Sequence, residues 1–307
     1  MKIVFMGTAE FGLPTLNILV ENGYAPISIV TGPDKHAGRG QKIYFSPIKK
    51  FALDHRIPLF QPERLKDPFF IRSLIDLHPD LIIVIAFRIL PAEVIQIPTI
   101  GSFNLHASLL PKYRGAAPIQ WAIINGESET GVTTFFLEEK VDMGNIIIQE
   151  RLLIGSDETA GEVHNRLAEL GASVVLKTIT VIERGEVHRS VQDDALATPA
   201  PKIFKEHGRI DWSKSAIDIH NFIRGLSPRP GAYTFHKEIL IKVYRSRVVS
   251  IDSSNPTGEI IKSDSVIYVS TGDGMIELIE LQQEGKKILN SSEFLRGYKI
   301  KEGERLD

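Results

Sequence analysis

Two rhythms of apolar residues divide the chain. "KIVFM" (2–6), "PISIVTG" (26–32) and "DLIIVIAF" (80–87) are short runs with little polar alternation. That is the pattern of strands covered on both faces of a parallel sheet. "SPIKKFALDHRI" (46–57) and "PFFIRSLIDLH" (68–78) have helical spacing instead. Pro14 suits the first turn of a helix that stops near Gly23. "GSFNLH" (101–106) and "GVTTFFL" (131–137) read as further strands. Residues 156–185 read as one long helix, capped by its Ser-Asp-Glu start. Strands alternating with helices predict an α/β, Rossmann-like parallel-sheet domain over residues 1–189.

The rhythm changes after that. Residues 190–207 lack periodicity, carry two prolines and read as a linker. "SKSAIDIHNFIRGL" (213–226) is a single amphipathic helix. Five strand-like runs follow, "AYTFH", "EILIKVYRSRVV", "TGEIIKS", "SVIYVST" and "GMIELIELQ". Residues 208–307 are therefore expected to form a small C-terminal OB-like β-barrel domain.

Composition narrows the chemistry. The 307 residues suffice for two domains, and the absence of cysteine excludes disulfides, thiolate metal sites and a cysteine nucleophile. A net charge of −2 gives no bulk signature of nucleic acid or membrane binding. No segment approaches the ~20 apolar residues of a membrane span. The opening "MKIVFMGTAEFG" meets Gly7 too soon for a signal peptide, so a cytoplasmic location is expected. The histidines are scattered, and no metal is called for. "GTAEFG" lacks the spacing of a dinucleotide-binding loop.

The candidate chemistry lies in "FNLHASLLPKYRGAAPIQW" (103–121). Ligands of open parallel sheets bind beyond the carboxyl ends of the strands. Asn104 and His106 fall at such an end, two residues apart and so on one face. An Asn amide can donate to a developing oxyanion, and a His can move a proton near neutral pH. An ordinary strand end capping its turn would carry the same two residues. "SLLP" (Ser108, Leu109, Leu110, Pro111) should run extended before its proline and could wall a flat ligand; "KYRGAAP" reads as turn chemistry. Asp142, in "KVDMGNI", reaches His106 if the strands ending at 105 and 137 are neighbours, and would then orient the ring and favour its charged form. Asp-X-Gly is also a common turn.

Taken together, "NLHASLLPKYRGAAPIQWAIINGESETGVT" and "EEKVDMGNII" resemble the signature of the folate-dependent formyltransferases. The resemblance implies transfer of the formyl group of 10-formyltetrahydrofolate. It implies catalytic roles for Asn104, His106 and Asp142, and a folate-binding role for Ser108, Leu109, Leu110 and Pro111. "VFMGTAEFGLPTL" and "TGPDKHAGRGQKIYFSPIKKFA" resemble the members whose acceptor is methionyl-initiator tRNA. From Lys35 to Lys50 there are five Lys/Arg and no acidic residue. Lys35, Arg39 and Lys42 are the expected tRNA contacts, through phosphates; a solvated surface loop would look alike. No protein partner is called for. The chain departs from the family at "AFRILP" (86–91), where Arg88 interrupts a turn that bears glycine in many relatives. Two alternatives stay open: a sugar-nucleotide formyltransferase of the same fold, and a non-catalytic RNA-binding protein.

Overall fold

A computed structural model describes residues 1–37, 42–249, 255–262 and 265–307. The chain forms two compact units. The first comprises Met1–Gly115, Thr130–Leu152 and His164–Pro199; the second comprises Ala116–Glu129, Leu153–Val163 and Ala200–Asp307.

The first unit is built on β1 (Ile3–Gly7), α1 (Leu13–Glu21), β2 (Ser28–Val30), α2 (Pro47–Asp54), β3 (Leu59–Phe60), α3 (Pro68–Asp76), β4 (Leu81–Ile85) and β5 (Gly101–His106). Helix α4 (Pro118–Ile124) belongs to the second unit. Strands β6 (Glu129–Phe136) and β7 (Ile146–Leu153) and helix α5 (Ala160–Glu183) follow it. The seven strands form one sheet in the order β7-β6-β5-β4-β1-β2-β3. Every residue of β1 and β4 is buried, as central strands with both faces covered require. Val4, Met6, Val30, Ile82 and Val84 pack there with Phe70 and Leu74 of α3. α3 is amphipathic enough to leave its Phe69 86% exposed on the other side.

Pairing is parallel from β3 through β2, β1 and β4 to β5. β6 departs from the expected parallel sheet by running antiparallel to β5. A period of two encodes which face is buried but not strand direction, so the sequence pattern is blind to this reversal. The parallel register puts Gly7, Ile85 and His106 at one carboxyl edge. The strand order reverses between β1 and β4, which is where such sheets take their ligands.

Local chemistry explains the ends of the elements. Ser46 accepts from Lys49 N to start α2, and Asp67 caps α3. α5 is not capped by Ser156, Asp157 or Glu158. Thr159 and Glu162 form a reciprocal box, Thr159 N to Glu162 Oε2 and Glu162 N to Thr159 Oγ1. The basic stretch read as a loop contains two short antiparallel strands, Lys35–Ala37 and Lys42–Tyr44.

The second unit carries α6 (Ala216–Leu226), β8 (Ala232–His236), β9 (Ile239–Val249), β10 (Ile260–Lys262), β11 (Ile267–Ser270), β12 (Met275–Gln283), β13 (Leu289–Asn290) and α7 (Ser291–Gly297). Ser215 caps α6 through Asp218 N. The strands form an antiparallel half-barrel sheet, β8-β9-β12-β11-β10, with β13 on β12. It supplies the OB-like β domain expected, with one strand more than the five read from sequence. Ile219, Ile223, Val243, Ile276 and Leu278 are among its core. No helix among the described residues is long and apolar enough to cross a membrane.

Candidate active site

Asn104 and His106 project from the same face at the end of β5, where Asn104 pairs with Val84 on one side and Phe135 on the other. The Asn104 side-chain amide is half-buried and makes no hydrogen bond among the described residues. It has two donors to offer a ligand.

His106 is 6% exposed. Its Nε2 lies 2.8 Å from the Tyr113 carbonyl oxygen. A carbonyl offers no proton, so Nε2–H is the donor, and Nδ1 is the atom left for chemistry. Nδ1 faces Asp142 Oδ2 at 3.9 Å. This is ion-pair distance but too long for a direct hydrogen bond.

Asp142 arrives by a return path. Because β6 runs backwards, Phe136 pairs with Phe103, three residues and about 10 Å from His106 along β5. The six residues to Asp142 span up to about 20 Å, enough to come back. Asp142 adopts a φ of 55°, a left-handed conformation that Asp tolerates better than most residues. Gly144, two residues on, is obligatory: a Cβ there would overlap the Phe136 carbonyl oxygen. The Gly115 N–H donates to Asp142 Oδ2 at 2.9 Å.

Residues 107–113 form bends and a turn, so the expected extended wall is not what "SLLP" builds. Hydrogen bonds within the unit fold it. Thr133 Oγ1 donates to Ser108 O at 2.6 Å and accepts from Leu110 N at 3.2 Å. Gln149 Nε2 donates to Leu110 O at 2.7 Å, and Ser108 Oγ to Lys112 O at 2.6 Å. Proline restricts only the residue before it, Leu110, so the path of residues 107–109 is left to these partners. Leu109 stays half-buried, while Leu110 is buried.

Arg88 donates from Nη1 to Glu63 O and from Nη2 to Pro62 O, at 2.9 and 2.8 Å. Burial pulls its guanidinium below the ordinary arginine range. Arg88 therefore anchors the turn after β4. Ala86 in that turn has a φ of 47°, which costs an L-residue about 1–2 kcal/mol.

Of the expected tRNA contacts, Arg39 lies outside the described residues. Lys35 and Lys42 sit on the two short strands, in register with Tyr44 and Ala37. Lys49, another of the basic set, is committed to Asp34 at 2.6 Å. Gln61 and Lys49 together hold the Asp34 carboxyl below its ordinary value.

Two residues of this site escaped sequence reasoning, Arg114 and Gln192. Gln192 Nε2 donates to Asp142 O and Gly144 O, and its Oε1 accepts from Arg114. No spacing signal marks them. No group of three or more His, Cys, Asp or Glu among the described residues could hold a metal ion. In the second unit a cavity of about 300 Å³ is lined by His220, Arg224, Tyr244, Arg245 and Arg247. Its arginines are engaged by Asn221, Glu162 and Glu277, so it is not a vacant anion site.

A family model described as formyl transferase matches residues 1–179, and one described as formyl transferase, C-terminal domain, matches residues 202–299. A relative from Caldanaerobacter subterraneus named methionyl-tRNA formyltransferase is 44% identical over 99% of both chains. One of the same name from Citrifermentans bemidjiense is 46% identical over 99% of this chain and 95% of its own. Among solved structures, the sugar 3N-formyl transferase WlaRD, in the presence of dTDP and 5-N-formyl-THF, has a TM-score of 0.70 at 22% identity, covering 94% of this chain and 99% of its own. An N-formyltransferase from Helicobacter canadensis, in complex with folinic acid and dTDP-3-aminofucose, has a TM-score of 0.68 at 22% identity, covering 92% and 99%. At that identity the solved structures speak for the fold alone. The two family models and the full-length relatives establish that this chain belongs to the formyl transferase family.

Proposed function

We propose that the chain transfers the formyl group of 10-formyltetrahydrofolate to the α-amino group of methionyl-initiator tRNA, in support of translation initiation in the cytoplasm. The observation that carries this reading is identity of 44–46% over nearly the whole length with relatives named for that acceptor. In this reading residues 1–189 are catalytic, 190–207 link, and the OB-like residues 208–307 bind tRNA together with Lys35, Arg39 and Lys42.

The chemistry is direct attack. A free α-amine titrates near 8, so an unprotonated fraction exists at neutral pH. Its nitrogen bonds to the formyl carbon and the carbonyl electrons move to oxygen. The Asn104 amide donates to that oxyanion, and the charged His106 ring donates from Nδ1. Asp142 faces the ring nitrogen at 3.9 Å, orients it, and accepts the amine's proton, directly or through water. Collapse of the tetrahedral carbon breaks its bond to N10 of the folate, which takes up a proton. Ser108, Leu109, Leu110 and Pro111 border the folate. Support for these roles is geometric: a ring nitrogen opposite a buried carboxylate, and an uncommitted amide on the same strand face.

A sugar-nucleotide acceptor is the competing reading, because the same fold serves in solved proteins named as sugar N-formyltransferases. One tube decides between them. The protein is incubated with 10-formyltetrahydrofolate, methionyl-initiator tRNA and a dTDP-amino sugar together, and both products are measured by mass spectrometry. We expect formylated methionyl-tRNA and unmodified sugar nucleotide. Formyl transfer only to the sugar would replace this proposal.

A further inference from the structure

Gln192 lies in a stretch without hydrophobic periodicity, yet it is 8% exposed and its amide is fully occupied. Nε2 donates to Asp142 O at 2.9 Å and to Gly144 O at 2.8 Å. Oε1 accepts from Arg114 Nε at 3.1 Å and from Arg114 Nη2 at 2.8 Å. A side-chain amide has two donor hydrogens and two acceptor positions, and all four are used here. Gln192 therefore has nothing left with which to bind a substrate.

Arg114 links this clamp to the reacting pair. Its chain neighbours make the two main-chain contacts of that pair: Tyr113 O accepts from His106 Nε2, and Gly115 N donates to Asp142 Oδ2. Arg114 Nη2 is braced by Asp194 at 2.7 Å. Gln192 thus ties the loop that carries Asp142 to the turn that holds both His106 and Asp142. The loop needs a tie, because Asp142 sits at a left-handed φ that the chain must be held in.

We propose that Gln192 and Arg114 are positioning residues that set the separation of His106 and Asp142 for formyl transfer; this rests on the reading of those two residues as a formyl-transfer pair. A misplacement of about 1 Å can cost up to ~10²-fold in rate. Gln192→Ala removes the tie without altering the chemistry of either member of the pair, and Gln192→Glu keeps the acceptor for Arg114 but removes both donors.

The test is a double-mutant cycle with Asp142→Asn. For Gln192→Ala and Gln192→Glu we expect kcat to fall about 10–100-fold, with KM for folate and tRNA within about twofold of wild type. In the Asp142→Asn background the same substitutions should change kcat less than about threefold, because the partner they position has lost its charge. Arg114→Lys, which cannot supply both N–H groups to Oε1, should fall between wild type and Gln192→Ala. A merely structural role would give the same loss in both backgrounds, or a loss of active fraction at unchanged rate. Histidine ¹⁵N NMR reads the pair without any acceptor: the His106 ring signals should shift in Gln192→Ala, and the same substitution should shift them far less in the Asp142→Asn background. Unchanged signals, or kcat within twofold of wild type, overturn the proposal. Absence of formyl transfer by the wild-type protein would overturn the proposed function instead, leaving the NMR result to decide on Gln192.

Discussion

Replacing Asp142 by asparagine isolates a single charge. Asn occupies the left-handed region as readily as Asp, so the φ of 55° can be kept. Its side-chain oxygen can still accept from Gly115 N–H. The Gln192 amide binds main-chain carbonyls, which the substitution leaves untouched. What disappears is the carboxylate 3.9 Å from His106 Nδ1. Two unit charges at that distance attract by about 4 kcal/mol at an effective dielectric near 20, and by about 1 kcal/mol in bulk water. Asp142 is 8% exposed, which places it nearer the first figure. Since about 1.36 kcal/mol is tenfold in rate, kcat should fall by ~10²–10³. The assay is steady-state and single-turnover formyl transfer to methionyl-tRNA, with the thermal midpoint measured alongside. We expect KM for both substrates within about threefold and the midpoint within about 2 °C, an unfolding shift of no more than about 1 kcal/mol. A kcat within about fivefold of wild type refutes the reasoning, because it would mean the carboxylate is screened as in bulk water.

Three further outcomes are expected. Thr133→Val leaves Ser108 O and Leu110 N without their partner, at about 1–3 kcal/mol for each buried group; the thermal midpoint should drop by several degrees and KM for folate should rise more than kcat falls, as a folate titration would measure. His220 is held below its ordinary value of 6.5 chiefly by burial, with the Arg224 charge adding and the Ser156 carbonyl and Asp157 opposing. The unfolded chain therefore binds a proton that the folded chain resists, so stability falls as pH drops below about 6.5; thermal scans from pH 7.5 to 5.5 should show this, with a shallower slope for His220→Gln. Arg39→Ala should raise KM for methionyl-tRNA while leaving folate binding unchanged, and the tRNA effect should shrink at higher salt.

What the sequence disclosed follows from which signals are local. β1 and β4 were legible because central parallel strands must be apolar on both faces. Asn104 and His106 were legible as a same-face pair from strand periodicity alone. The reversal of β6 was not, and neither was the fold of residues 107–113. The latter depends on Thr133 and Gln149, which lie 16 to 39 residues away from their partners and from each other. The cap of α5 is ambiguous in sequence: Thr159-Ala160-Gly161-Glu162 has the spacing of a capping box, but the Ser-Asp-Glu run just before it also carries capping residues. Gln192 could not be found by pattern, because its role is a contact to Asp142 fifty positions earlier in a segment with no periodicity. Arg114 reads as ordinary turn chemistry until Gln192 is placed against it.

The most direct measurement is single-turnover formyl transfer from 10-formyltetrahydrofolate to methionyl-initiator tRNA, run with the wild-type protein and with Asn104→Ala at saturating substrates. We expect wild-type turnover and a ~10²–10³-fold slower step for Asn104→Ala, the loss typical of one oxyanion donor, with folate affinity retained. Equal rates for the two proteins, or no formylated tRNA from the wild type, would contradict it.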